Sequence, residues 1–161
     1  MNNVIVNAQG ISMPSWSGAA CSFALKVLEK MERYNWELSI LFCDDNTITM
    51  LNTQYRNKAE PTDILSFNLG ETVQYGEKTI YLPGDIAISL DTLCENAKYF
   101  QISEDEELRR LIIHGILHLD GMDHANTVRS TIEQKEPMLK LQEEILNSLK
   151  DEHIILNGEN K

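Results

Sequence analysis

Basic residues, cysteines and histidines are all in short supply in this chain, and each shortage removes a class of function. Lys and Arg number 14 against 25 Asp and Glu, for a formal net charge of −11 and a pI near 4.7. Nucleic-acid binders draw much of their affinity from phosphate contacts and so carry a basic face. A chain this acidic does not gather free RNA on its overall charge; it would need a local positive patch, a metal, or presentation by a larger assembly. The three cysteines, Cys21, Cys43 and Cys94, are odd in number, far apart and set among apolar residues. That excludes a disulfide framework, and the absence of any CxxC pair excludes a finger-type zinc site. No run approaches the roughly 18 apolar residues of a spanning helix. The N-terminal MNNVIVNAQG lacks a basic segment followed by an apolar one, so no signal peptide is expected. The expectation is a soluble, cytoplasmic protein with no membrane partner.

Repeats, linkers and low-complexity stretches are also missing, and 161 residues suit one domain spanning 1–161. Residues 3–7 read as a short strand, 37–43 (ELSILFC) as a second and 64–68 as a third. Residues 79–82 and 85–88 read as further strand, interrupted at Pro83-Gly84 by a bend or bulge. The polar stretch 71–78, with Gly76, reads as a hairpin loop. Apolar residues at helical spacing predict helices over 17–33 and from the Asp44-Asp45-Asn46 turn to about Arg56. A third helix, capped by Ser89 or Asp91, runs to about Tyr99. Ser103-x-x-Glu106 is a capping box, opening a helix that is apolar nearly all round and therefore buried. A last helix carries Met138, Leu141, Ile145 and Leu149, with Pro137 in its first turn or kinking it. The tail from Asp151 is expected to pack loosely. The fold class is α/β (α+β-like): a small mixed sheet of about four strands packed with about five helices.

Three of the four histidines fall within the eleven residues His114-Gly-Ile-Leu-His118-Leu-Asp-Gly121-Met-Asp-His124. A helix turns about 100° per residue, so His114 and His118 project from one face, one turn apart. Gly121 can adopt the left-handed backbone that turns a chain, which would return His124 to the same point. Three neutral imidazoles suit one zinc ion per chain and leave a fourth position for water or substrate. The competing reading is a closed structural zinc, for which Cys94, Asp123 or His153 could supply the fourth ligand. The spacing is that of the metzincin proteases, but their glutamate base is replaced here by Gly115, which cannot take a proton from a bound water. Peptidase chemistry is excluded and the metal is kept.

A second stretch, from Tyr55 to Phe67, places Arg56 and Lys58 before a loop and Pro61-Thr62-Asp63 before a strand. Guanidinium groups match phosphate oxygens in pairs and stabilise charge that builds on phosphorus. Thr62 and Asp63 could equally do no more than cap a turn.

PTDILSF (61–67), GDIAI (84–88) and HGILHLDGMDH (114–124) together resemble the YbeY family of bacterial metal-dependent endoribonucleases, which act as rRNA maturation factors. The likeness runs from the first strand to the last helix. It implies zinc on His114, His118 and His124, and a functional arginine at Arg56 facing the metal cleft. It also implies cleavage of single-stranded RNA, with roles in maturing the 3′ end of small-subunit ribosomal RNA and in ribosome quality control. Ribosomal RNA and the ribosome or its proteins are then the expected partners. Pro83 and Met122 depart from the family pattern without touching a proposed ligand. Asp85 and Asp123 are the candidate bases, Asp123 doubling as a residue that orients His118 or His124. Lys58 joins Arg56 as a candidate substrate contact, and Arg109 and Arg110 are expected to gather near the cleft mouth. Attack by water or by the RNA's own 2′-OH stays open. So do a metal-dependent hydrolase of a non-RNA substrate and a non-enzymatic ribosome-associated factor with a structural zinc.

Overall fold

Parallel strands need a crossover, and here the helices that follow the first two strands supply it while covering opposite faces of one sheet. The computed structural model describes residues 1–122 and 132–156, the backbone alone over 132–136. Strands β1 (Asn3–Gln9), β2 (Glu37–Cys43), β3 (Ile64–Tyr75) and β4 (Lys78–Ser89) lie in the order β1-β2-β4-β3. β1 and β4 flank β2 in parallel, and β3 closes the sheet antiparallel to β4. Helices α1 (Ser17–Lys30), α2 (Asp45–Arg56), α3 (Leu90–Phe100), α4 (Glu104–Leu117) and α5 (Ile132–Ser148) complete the expected α/β domain.

Alternation along the strands sorts the two faces. Leu38, Ile40 and Phe42 of β2 and Ile86 and Ile88 of β4 point to the main core, with Phe23, Val27 and Leu28 of α1 and Leu108, Ile112, Ile113 and Ile116 of α4. Cys43, Leu65 and Ala87 point the other way and pack on Ile48 of α2. Helix starts follow local chemistry: Asp44, Ser89 and Ser103 each accept a hydrogen bond from a backbone N–H of the first turn of α2, α3 and α4. All three cysteines carry free thiols, and burial, with Asp44 and Asp45 nearby, pushes the Cys43 thiol up to about 12.

Four sequence expectations need correction. The hairpin expected over 71–78 is present, but its loop is only the turn at Gly76-Glu77: Glu71 to Tyr75 are strand and pair with Leu82 to Lys78. The arm projects with solvent on both sides, so polarity there does not argue against a strand. Leu69 and Gly70 oppose Pro83 in a bulge, and Gly84 is required because a Cβ would stand 2.0 Å from the Phe67 carbonyl oxygen. α1 stops at Lys30, since Glu32 turns left-handed at φ 57°. Pro137 lies well inside α5 rather than in its first turn. The C-terminal tail is not loose, for Ile154 and Ile155 are buried and their N–H groups donate to Asp105 Oδ1 at 2.6 and 2.8 Å.

Candidate metal centre

Among the described residues α4 is the helix with the most buried positions, and it lies close against the sheet. Gly115 makes that approach possible: a Cβ there would lie 2.9 Å from Ile86 Cδ1 and 3.0 Å from Ile64 Cδ1. The position that carries the base in the proteases therefore points under the helix into the sheet. His114, one residue earlier, and His118, one turn on from it, sit half-buried on an adjoining side of α4, about 60–100° around the helix from Gly115. α4 itself ends at Leu117, and His118 opens a π-type turn over His118–Met122 that breaks at Gly121, φ 89°. The left-handed glycine is the turn expected from the sequence.

The two rings converge. Their centroids are 4.4 Å apart, and Nε2 of His118 lies 2.8 Å from Nε2 of His114. Behind His114, Nδ1 meets Oε1 of the buried Gln142 at 2.7 Å, a contact from α5. A carbonyl oxygen there requires the proton on Nδ1 and leaves the Nε2 lone pair aimed at His118. Two ligand nitrogens about 2.0–2.1 Å from a tetrahedral zinc would stand about 3.3 Å apart. The observed pair needs to open by only about half an ångström, so the residues present fit the ion.

The turn is held from a distance. Arg33, beyond the end of α1, donates through Nε and Nη2 to the two oxygens of Asp120 at 2.9 Å each, and through Nη1 to Met31 O. The Asp120 hydrogen bonds, then its charge, raise the Arg33 guanidinium further. Met122, one of the departures from the family pattern, packs half-buried on the main core. His124 and Asp123 lie outside the described residues. Among the described residues no group of three potential ligands forms.

The other candidates for a fourth ligand are directed elsewhere. His153 bonds through Nδ1 to Asp105 Oδ2, in the first turn of α4, about 13 Å along the helix from His114. Cys94 sits on α3 beside Glu104, its thiol raised by burial and then by that carboxylate. Nor do Arg109 and Arg110 supply free positive charge. Arg109, 7% exposed, pairs with Asp105, while Arg110 pairs with Glu106 and with Glu143 of α5.

Arg56 ends α2, and Asn57 turns left-handed after it, sending Lys58 into an exposed loop. The side chains of Arg56 and Lys58 make no hydrogen bond or ion pair among the described residues, so both are available to an anion. Asp63 ties the end of this loop inward: it accepts from Asn96 Nδ2 at 3.2 Å, and its carbonyl accepts from Ser89 N. Burial pushes the nearby Glu107 carboxyl up, with the charge of Asp63 adding to it. Thr62 and Asp63 thus anchor the strand entry.

Asp85 is not brought to the histidines. Ile86 faces α4, so its neighbour Asp85 faces the α2 side, where Ser39 Oγ donates to it. A cavity of about 460 Å³ opens there, lined by Asp85, Ser39, Leu51, Tyr55, Phe67 and Asn68, with the sheet between it and the imidazoles. Sequence reasoning also missed Gln142 and Asp120: both owe their place to packing between distant elements.

Paired imidazoles on a buried helix–turn, with a mixed sheet behind them, define a small α/β domain whose ring nitrogens could hold a metal ion. The comparisons with known proteins agree on one family. Residues 7–150 match the model of the family described as endoribonuclease YbeY. Proteins of that name in Treponema denticola and Treponema pallidum are 46% and 42% identical over 134 and 147 residues. These alignments cover 83% and 91% of this chain and 83% and 89% of theirs. A Thermotoga maritima protein solved in solution shares the fold at a TM-score of 0.59 and 28% identity, with 92% of each chain covered. This chain belongs to the YbeY family.

Proposed function

We propose that the chain is a zinc-dependent, single-strand-specific endoribonuclease that matures the 3′ end of small-subunit ribosomal RNA and takes part in ribosome quality control. The observation that carries this reading is the convergence of His114 and His118 through their Nε2 atoms, backed by Gln142, in a chain of the YbeY family. Relatives named endoribonuclease support RNA as the substrate.

His114, His118 and His124 would hold the ion. When bound, zinc would polarise a phosphoryl oxygen or lower the pKa of a water towards 7. The protein's own contributions are orientation and charge. α4 and Gln142 fix the first imidazole, the Arg33–Asp120 pair fixes the turn that follows, and Arg56 offers a guanidinium fork to the charge that develops on phosphorus. Lys58 adds a second cation on the same loop. Asp85 has no part in this reading, because the sheet separates it from the histidines. Attack by the substrate's 2′-OH would leave a 2′,3′-cyclic phosphate, and attack by water would leave a simple phosphate end.

With a net charge of −11 and Arg109 and Arg110 already paired, affinity for free RNA is weak, and the ribosome or a bound partner presents the substrate. A cytoplasmic location fits this, and no described helix is long and apolar enough to cross a membrane. His153 and Cys94, directed away from the pair, weigh against a closed structural zinc.

The test is cleavage of a labelled ribosomal RNA 3′-end fragment by zinc-loaded protein, with folded Arg56→Ala and His118→Ala proteins alongside. Cutting by the parent that both substitutions abolish is the expected result. Equal cutting by all three would trace the activity to a contaminant and remove the support for this reading.

A further inference from the structure

The sequence offers Asp123 as the residue that orients a metal-ligating histidine; the geometry points to a different one. We propose that Gln142 is a positioning residue that locks His114 in its Nδ1–H tautomer, presenting Nε2 to a zinc ion, under the control of Glu143 and Arg110. The inference rests on the metal reading above and concerns how the protein prepares its first ligand.

A glutamine amide has one accepting end and one donating end, and which end faces a histidine decides which ring nitrogen carries the proton. Gln142 is 5% exposed and stands between His114 and Glu143. Its Nε2 lies 3.3 Å from Glu143 Oε2. Glu143 takes two hydrogen bonds from Arg110, from Nε at 2.9 Å and Nη2 at 3.2 Å, and those bonds hold its carboxyl below the usual range. An ionised carboxylate only accepts, so the amide must give it the NH2 end. The carbonyl end is thereby committed to His114 at 2.7 Å, where it accepts from Nδ1–H. The Nε2 lone pair is then the one that faces His118.

The relay also closes on itself. Arg110 is one turn before His114 on α4 and bonds Glu106 one turn earlier still, at 3.0 Å. The ion pair that docks α5 on α4 and the hydrogen bond that sets the ligand thus run through adjacent residues, Gln142 and Glu143. Supports of this kind are worth about 10–100-fold in metal affinity.

The experiment uses the full chain. Zinc affinity is measured by competition with a chromogenic chelator for the parent, Gln142→Met, and the exchange variant Gln142→Glu with Glu143→Gln. Methionine keeps the volume and offers only a weakly accepting thioether in place of the amide oxygen. The exchange keeps an acceptor beside His114 and an amide beside Arg110. In parallel, ¹⁵N NMR of the imidazoles reads the tautomer of His114 in the metal-free parent. Expected are an Nδ1–H signal, a 10–100-fold weaker zinc affinity for Gln142→Met, and recovery in the exchange variant. An Nε2–H tautomer, or Gln142→Met binding zinc as tightly as the parent, would overturn the proposal. Failure of the parent itself to bind zinc would sink the metal reading instead, with the NMR signal still deciding which tautomer Gln142 selects.

Discussion

Adding one methyl group at position 115 tests whether α4 is set by its contact with the sheet. In Gly115→Ala the new Cβ would lie 2.9 and 3.2 Å from Cδ1 and Cγ1 of Ile86 and 3.0 Å from Cδ1 of Ile64. Carbon atoms sit comfortably at about 3.5–4.0 Å, so these side-chain ends must retreat by about 0.5 Å or more. Overpacking on this scale costs about 1–3 kcal/mol. Alanine in a helix interior gains about 1 kcal/mol over glycine, leaving a net loss of about 0–2 kcal/mol. Ile86→Val removes the nearest methyl and alone costs about 0.5–1.5 kcal/mol by leaving a gap. Together the two should cost about 1 kcal/mol less than their sum, because the alanine methyl enters the space the valine vacates. Urea unfolding of the parent, both single variants and the double variant, all metal-free, supplies the cycle. Strict additivity, with Gly115→Ala about 1 kcal/mol more stable than the parent, would mean that position 115 does not face the sheet. The explanation offered for the missing protease-type base would fall with it.

Asp105 accepts from Arg109 Nε, His153 Nδ1 and the N–H groups of Ile154 and Ile155, so Asp105→Asn should destabilise by about 3–5 kcal/mol and free the tail. Burial alone would raise this carboxyl, but those bonds and the charge of Arg109 outweigh it and hold it below the usual range. Its stabilisation is therefore complete above about pH 4 and is lost as pH falls through the lowered value, so the parent's acid limb should be steeper than that of Asp105→Asn. Unfolding midpoints taken from pH 7 down to 2 check the sign. Arg33→Met removes both bonds to Asp120; with Arg33 well exposed, the loss is about 1–2 kcal/mol after allowance for screening. Thermal midpoints at low and high salt should show the gap between parent and variant narrowing as salt rises.

What the sequence revealed and concealed follows from how far each signal reaches along the chain. The bounds of β2 were legible because ELSILFC is covered on both faces and reads as β throughout. The starts of α2 and α4 were legible because Asp44 and Ser103 act within three residues. The His114–His118 pair was legible because helical spacing alone brings the rings to one side. The strand in the 71–78 hairpin was missed since solvent on both sides erases the alternation that marks a strand. The docking of Ile154 and Ile155 was hidden because its cause, Asp105, lies some fifty residues upstream. Arg109 and Arg110 looked free for the same reason in part: one helical turn supplies Asp105 and Glu106, but only the packing of α5 supplies Glu143. For Asp85, the GDI motif located the residue and strand alternation sent it to the face away from the imidazoles.

The most direct test of the account is a zinc titration of RNA cleavage. Protein stripped with a chelator, and shown by circular dichroism to keep its fold, is returned to zinc stepwise with a single-stranded ribosomal RNA 3′-end fragment. The account predicts no cutting at the start and a rise that saturates at one ion per chain, absent throughout in His114→Ala. Cutting that survives full removal of the metal, or that persists in His114→Ala, would contradict it.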